Sequence, residues 1–211
     1  MMYCKLLELR TDAALRASMD WHRLDRDKTT DMINSVKSAA ESLLFSPVTS
    51  EAKCARLPFY SDFLLYRLTN FSSMPVFTMD FIGDGEQYHY LDGSEFPIKQ
   101  INELKGLHLT AENVIPYLNF YFFNVRSEDG DILLLRNIEE GQTIDLYDDE
   151  RRENLDVVPE NSKVEYNEAD ETFTVQAPIY YMGGLVDALI VVTKNGMVTV
   201  QPLRMLTGGL Q

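Results

Sequence analysis

The chain has 211 residues, 45% of them hydrophobic and 25% charged, and its formal net charge at pH 7 is −14. A chain this long buries a core without a metal or disulfide framework, and its two cysteines, Cys4 and Cys54, predict neither. A negative surface repels phosphate groups, so nucleic acid and anionic membranes are excluded as expected partners, and the absence of a signal peptide or long apolar run predicts a cytoplasmic protein.

Most of the negative charge lies in one connecting region. Residues 139–171 contain 13 acidic and 3 basic side chains, a net charge of −10, whereas residues 1–60 are almost neutral. Such a run is expected to be a solvated loop. The alternatives are a docking surface for a basic partner or a loose cation site.

Two amphipathic helices are predicted near the N-terminus. Apolar residues recur at three- and four-residue steps over residues 6–24 and again over residues 33–44. The polar stretch 25–30 separates them, and Thr30 or Asp31 is the predicted N-cap of the second helix.

A hairpin is predicted to join residues 76–82 to residues 86–91, after a buried strand at residues 63–66. The Asp84-Gly85 dipeptide favours a two-residue turn. That turn sets the register, which pairs Phe81 with Tyr88, Met79 with Tyr90, and Asp80 with His89.

Two helices are predicted in the middle of the chain, at residues 97–104 and 111–123. Thr110 is the expected N-cap of the second, and Pro116 predicts a kink or a fresh start. Residues 117–123 are apolar nearly all round, which predicts a helix buried on most sides and wrapped by the sheet.

A strand at residues 131–135 and an antiparallel meander at residues 173–201 complete the pattern. Turns are predicted at Gly183-Gly184 and, as type I′, at Asn195-Gly196, with residues 186–193 as the central strand. Pro178 and Pro202 are expected to place their strands at an edge or a bulge. One face is predicted to hold Phe173, Val175, Ala177, Ile179, Ala188, Ile190 and Val192, and the other Leu189, Val191, Val198 and Val200.

These elements predict one α+β domain over residues 1–211. It comprises a helical N-terminal segment (1–46), a hairpin with helices (57–136), an acidic connection (137–162) and an antiparallel meander (163–205). The expected architecture is an antiparallel curved sheet packed on the central aromatic helix. Cystatin-like and NTF2-like folds are built this way, and that analogy carries no function.

Three segments are distinctive: Leu91-Asp92-Gly93-Ser94-x-x-Pro97-Ile98, Leu109-Thr110-x-Glu112-Asn113-Val114-x-x-Tyr117-Leu118-x-Phe120 and Val125-Arg126-x-Glu128-Asp129-Gly130. Together they resemble segments of a group of uncharacterised bacterial, chiefly proteobacterial, proteins. The likeness covers roughly residues 57–135 and, more loosely, the final meander, where a strand precedes Asn195-Gly196-Met197-Val198. It implies a bacterial origin and carries no activity, cofactor or partner.

The candidate catalytic residues are His89, Asp80 and Asp92. A carboxylate that orients an imidazole is half of a general-base arrangement, and the predicted register sets Asp80 across from His89. The alternative is a cross-strand ion pair on the sheet surface, and Ser94 near Asp92 has no nucleophile-elbow context.

The candidate ligand-binding residues are Tyr117, Tyr121 and Arg126. The tyrosines either line a pocket or belong to the core, and Arg126 either binds an anion or pairs with a nearby carboxylate. No metal ligand set and no cofactor are predicted, since the three histidines and the acidic turns lack ligand spacing.

Two functions are compatible with these patterns. The first is a non-enzymatic binding or assembly module whose partner is another protein or a second copy of itself. The second is a small-molecule pocket between sheet and helix, hydrolytic or isomerising, that uses Asp80 and His89.

Overall fold

The computed structural model describes residues 19–36, 44–104, 106–127, 130–135, 160 and 162–207. These residues form an α+β fold of three helices and two antiparallel five-stranded sheets, which confirms the predicted class. Most of the acidic connection and most of the first predicted helix lie outside the described residues.

The first sheet contains the strands β1 to β5 in chain order. The strands are β1 (His22–Arg23), β2 (Ser50–Arg56), β3 (Leu64–Asn70), β4 (Phe77–Gly83) and β5 (Tyr88–Tyr90). β2 was not predicted, because its Glu, Ala, Lys and Arg residues favour a strand weakly. It forms because all seven of its residues pair with β3.

Helix α1 (Arg26–Ser35) begins earlier than predicted. Its N-cap is Asp25, whose carboxylate accepts a hydrogen bond from the backbone N–H of Lys28 at 2.8 Å, so Thr30 and Asp31 are interior. The predicted N-terminal helix was wrong where it is described, since His22–Arg23 is a strand. Residues 37–43 of the second predicted helix lie outside the described residues.

The two faces of the first sheet pack against different layers. One face forms a smaller core with α1, in which Met32 and Ile33 contact the cluster that holds Tyr66 and Leu68. The other face contributes to a larger cluster that also contains helices α2 (Phe96–Glu103) and α3 (Val114–Asn124) and the second sheet. The central position of the aromatic helix α3 is therefore confirmed.

Helix α3 begins three residues later than its predicted start. Thr110 and Asn113 exchange hydrogen bonds, from Thr110 N to Asn113 Oδ1 at 2.7 Å and from Asn113 N to Thr110 Oγ1 at 3.3 Å. This turn precedes the helix, so Thr110 is not its cap. Pro116 lies in the first turn, where its missing N–H has no intrahelical partner to lose.

The second sheet has the order β10-β9-β8, and both β6 and β7 pair with β8. Its strands are β6 (Leu133–Leu134), β7 (Lys163–Asn167), β8 (Thr172–Tyr181), β9 (Gly184–Thr193) and β10 (Val198–Thr207). Pro178 lies between the stretches of β8 that pair with β7 and with β6. Pro202 lies in the edge strand β10 beside a register shift, as predicted for a residue without an N–H.

The structure confirms the residues predicted for one face of the meander and corrects two of those predicted for the other face. Phe173, Val175, Ala177, Ile179, Ala188, Ile190 and Val192 are all buried in the central cluster, as predicted. Val198 and Val200 were assigned to the opposite face, but they pair with Val192 and Ile190 and pack against the same cluster. Opposite residues share a face, so the prediction for these two valines was wrong.

The turns also differ from the predicted ones. The β8–β9 turn uses Met182-Gly183, with φ of 51° and 77°, and Tyr181 pairs with Gly184. The β9–β10 loop has three residues, Lys194 to Gly196, because Thr193 pairs through its backbone with Met197. Of these three, Gly196 alone has a positive φ, 79°, so the loop is not a type I′ turn.

Candidate functional site

Asp80 lies in a part-buried ion pair on the face of the first sheet that contributes to the larger cluster. Arg67 on β3 is directly opposite Asp80 on β4, and its guanidinium donates to both carboxylate oxygens, at 2.7 and 2.8 Å. The side chains are only 10% and 15% exposed. Trp21 lies over the guanidinium, with its ring centroid 5.1 Å from the Arg67 Cζ atom. Asp80 is therefore held by an arginine through a bidentate contact that gives both strength and geometry.

His89 is not opposite Asp80. It pairs with Ile82, because the β4–β5 loop contains the four residues Asp84 to Gln87 rather than two. Phe81 consequently pairs with Tyr90 instead of Tyr88. The predicted register was therefore wrong by two residues. In the observed register, the Asp80 carboxylate is not opposite the His89 imidazole and cannot orient it.

The carboxylate of Asp84 stabilises this longer loop. Its Oδ1 atom accepts hydrogen bonds from the backbone N–H of Gln87 at 2.8 Å and of Glu86 at 2.9 Å. These hydrogen bonds hold the pKa of Asp84 below its usual value. A local aspartate turn of this kind competes with the two-residue turn that the dipeptide predicts.

The imidazole of His89 has one unsatisfied nitrogen. Its Nε2 atom is buried and has no hydrogen-bond partner among the described residues. Buried nitrogen atoms of native proteins nearly always have a partner, so this atom is the one to test for contact with a bound water or ligand. His89 thus retains one feature of a binding residue, although it has lost the predicted general-base geometry.

Asp92 forms a local turn. Its Oδ1 atom accepts hydrogen bonds from Ser94, from the hydroxyl at 2.7 Å and from the backbone N–H at 2.8 Å. These bonds lower the pKa of Asp92 and shape the chain immediately before α2. The Asp92–Ser94 pair is exposed, and its geometry is that of an Asx turn.

Tyr117 belongs to a buried polar network rather than to an open pocket. It is completely buried, and its hydroxyl donates to the carbonyl oxygen of Gly196 at 2.6 Å. Asn102 donates to the Tyr117 hydroxyl and to the carbonyl oxygen of Asn195, each at 3.1 Å. Tyr60 donates to Asn102 Oδ1 at 2.7 Å, and burial raises the pKa of both tyrosines. This network, Tyr60–Asn102–Tyr117, attaches α2 and α3 to the β9–β10 loop.

Tyr121 and Arg126 contact the segment that leads into α2. The hydroxyl of Tyr121 donates to Glu95 Oε2 at 3.0 Å, and burial raises the pKa of this tyrosine. Lys99 also donates to Glu95, and it lowers the pKa of that carboxyl more than Tyr121 does. Arg126 is exposed, and its backbone N–H donates to the Gly93 carbonyl at 2.8 Å. The rings of Tyr117 and Tyr121 are neighbours, with centroids 6.1 Å apart, but their hydroxyls bind different segments, Gly196 and Glu95.

The open edge of the second sheet is a feature that the sequence analysis did not treat as a site. Strand β10 has ten residues, and its described pairing is with β9 on one side only. Met197, Leu203 and Met205, at or in this strand, are each about half exposed, at 49%, 48% and 54%. Pro202 was the one sequence signal for an edge strand here. An edge strand exposes unpaired N–H and C=O groups that accept another strand.

Comparisons with known proteins identify no relative. No family model, no curated protein and no solved structure matches the chain. Within the described ranges, no three His, Cys, Asp or Glu side chains are grouped as a metal site. Among the same residues, no helix is long and apolar enough to cross a membrane.

Proposed function

We propose that this protein is a non-enzymatic binding or assembly module that acts through protein–protein contact. The observation that carries the proposal is the edge of β10 that has no neighbouring strand among the described residues, along a ten-residue strand with half-exposed apolar side chains at or in it. Folded proteins normally shorten, charge or cover such edges. The other edge strands of the two sheets are shorter, with two residues in β1 and β6, three in β5 and five in β7.

The state of the predicted catalytic and ligand-binding groups supports the same proposal. Arg67 binds both carboxylate oxygens of Asp80, and Ser94 binds the carboxylate of Asp92. Tyr117 and Tyr121 make internal hydrogen bonds that tie helices to loops. These groups stabilise the fold, whereas an enzyme needs an acid, a base or a nucleophile directed at a substrate.

The expected partner is a protein rather than a nucleic acid or a membrane. A net charge of −14 opposes contact with phosphate groups, and the electrostatic repulsion acts at long range. We also propose a cytoplasmic location and a bacterial origin, which rest on the sequence alone.

The test compares partner binding by three proteins. They are the wild type, Thr199→Lys on the edge strand, and Thr78→Lys, at an exposed threonine of β4 in the first sheet, as a control that changes the net charge equally. Each protein is used as affinity bait, and each candidate is then purified and titrated. A partner, including a second copy, that binds the wild type and the control but not Thr199→Lys supports the proposal. A partner that binds Thr199→Lys as tightly as the wild type, or the absence of any binding partner, contradicts the proposal.

The second candidate function is a small-molecule site at His89. The observation that favours it is the buried Nε2 atom without a partner. A fragment library is screened by thermal shift with the wild type, His89→Ala and the control His22→Ala, in which an exposed imidazole is removed. A fragment that stabilises the wild type and His22→Ala but not His89→Ala identifies the site. Identical responses of all three proteins exclude this function.

A further inference from the structure

The outer edge of β10 is the longest open strand edge in the described structure. The strand pairs with β9 from Val198 onwards, with register shifts after Pro202 and after Met205. Every second residue of an edge strand directs its N–H and C=O away from the sheet. The stretch Val198–Gln201, which precedes the first register shift, is therefore the regular part on which a further strand could pair.

Apolar side chains of the core reach the surface along this edge. Val198 and Val200 pack against the central cluster but are only partly buried. Met205 pairs with Val186, on the same face, and is 54% exposed. A strand added to the edge would place its own side chains beside this row and extend the core by one strand.

The charge distribution indicates which partner fits the edge. Residues 171–211 contain two acidic residues, Glu171 and Asp187, and two basic residues, Lys194 and Arg204, so their net charge is zero. Lys194 forms an ion pair with Glu171, and Arg204 lies 3.9 Å from Asp187. The rest of the chain therefore carries the whole net charge of −14. A second, equally acidic copy is repelled by most of the surface, and the repulsion is weakest where these two neutral regions meet.

Two copies of the regular stretch Val198–Gln201 can also pair with each other without a conflict of side chains. It reads Val-Thr-Val-Gln, so two antiparallel copies place no like charges opposite each other. A two-fold axis uses the same patch on both subunits, which closes the assembly at a dimer instead of extending it into a fibre. Pro202 has no N–H and the register shift follows it, which confines the pairing to the residues before it.

We propose that β10 pairs antiparallel with β10 of a second copy over Val198–Gln201, joining the second sheets of two chains into one continuous sheet. This inference rests on the proposed function and names its partner. The contact is between strand edges, so it orders backbone N–H and C=O groups that are otherwise exposed to water.

The experiment is sedimentation equilibrium of the full chain over a range of protein concentrations. The wild type and Thr78→Lys should form a dimer, and Thr199→Lys should raise the dissociation constant at least about tenfold, since lysine on an edge opposes strand pairing. Both substitutions reduce the net negative charge equally, so a loss confined to Thr199→Lys reports the edge. Far-UV circular dichroism and the thermal midpoint verify that each variant is folded.

Salt distinguishes a second copy from a basic partner. Association of two acidic chains should tighten when salt rises from about 0.05 M to 0.5 M, because screening weakens their repulsion. Amide exchange at Val198–Gln201 should slow as the protein concentration rises. A wild type that stays monomeric at every concentration and salt, or a Thr199→Lys variant that dimerises normally, overturns the proposal.

The two proposals fail in different ways. A monomeric wild type that binds another protein through an edge sensitive to Thr199→Lys overturns self-association and leaves the binding function standing. A monomer without any partner sensitive to the edge overturns both.

Discussion

The β4–β5 and β9–β10 hairpins both turn at a dipeptide that ends in glycine, but different parts of the molecule hold their loops. The first loop, Asp84 to Gln87, is closed by its own aspartate, which accepts hydrogen bonds from Glu86 and Gln87. All four of its residues are exposed, and the hydrogen bonds that close it come from within the loop.

The second loop, Lys194 to Gly196, is held by the core. Its carbonyl groups accept hydrogen bonds from Asn102 and Tyr117, which belong to two different helices. The comparison shows that a glycine dipeptide marks where a hairpin turns, whereas the number of loop residues depends on what binds the loop's polar groups.

The two loops have different consequences for the faces of the sheets. A shift of two residues in the first hairpin leaves Asp80 and His89 on the same face but separates them along the strand. A shift of one residue in the second hairpin moves Val198 and Val200 from the outer face to the core. The loop attached to the core therefore determines more of the packing.

The largest effect is expected from alanine at the glycine of the attached loop. A Cβ atom at Gly196 would lie 2.4 Å from Asn102 Nδ2 and 2.5 Å from the Tyr117 hydroxyl, and φ is 79°. Left-handed strain of about 1–2 kcal/mol adds to about 1–3 kcal/mol for broken buried hydrogen bonds. We expect Gly196→Ala to lower the free energy of unfolding by about 2–5 kcal/mol, measured by urea denaturation.

Gly85→Ala is the matched control in the other hairpin. Gly85 also has a positive φ, 97°, but the nearest heavy atom to a Cβ there is the Tyr66 hydroxyl at an ordinary 3.6 Å. Only the backbone strain applies, about 1–2 kcal/mol. Equal losses in the two variants would contradict the idea that docking on the core distinguishes the second loop.

An intermediate effect is expected from removing one hydroxyl of the network. Tyr117→Phe leaves the Gly196 carbonyl and an Asn102 N–H without their partner inside the core. The free energy of unfolding should fall by about 1–3 kcal/mol. In Tyr88→Phe the lost hydroxyl donates to Gly85 at 3.1 Å in an exposed loop, and the loss should be below about 0.5 kcal/mol. If Tyr88→Phe lowered the free energy of unfolding more than Tyr117→Phe does, the idea that core contacts hold the second loop more firmly would be contradicted.

The smallest effect concerns the aspartate of the exposed loop and depends on pH. Hydrogen bonds from Gln87 and Glu86 lower the pKa of Asp84. A lowered pKa in the folded state means that the carboxylate stabilises the fold above its unfolded-state pKa and loses this effect as the pH falls through the folded-state pKa. Because the group is exposed, we expect a few tenths of a kcal/mol.

The measurement is the difference in unfolding free energy between the wild type and Asp84→Asn. Asparagine keeps the acceptor oxygen and removes the charge, so the difference should shrink between about pH 5 and pH 2. A difference that is constant over this range would show that the charge contributes nothing to the loop.

Several elements were predictable because their signal is local or periodic. The alternation from Phe173 to Ile179 identified the buried face of β8, and the apolar run 117–123 identified the central helix. Strand β2 was not predictable, since its composition favours no strand and its pairing with β3 comes from residues distant in sequence.

The candidate site shows the same division. His89 and Asp80 were correctly assigned to facing strands, but Asp80 pairs with Arg67, which no pattern within the hairpin indicated. The buried network could not be predicted from the sequence either, because its members are far apart along the chain: Tyr60, Asn102, Tyr117 and the β9–β10 loop.

The sequence by itself determined the α+β class, the net negative charge, the aromatic helix and the buried face of the central strands, because composition and periodicity act over short stretches of chain. The tertiary structure alone decided the two loop lengths and which face Val198 and Val200 occupy. It also decided which groups the polar side chains bind and which strand edge has no neighbour among the described residues. Each of these depends on contacts between segments that are distant in sequence, and a single residue of register is enough to exchange the two faces of a strand.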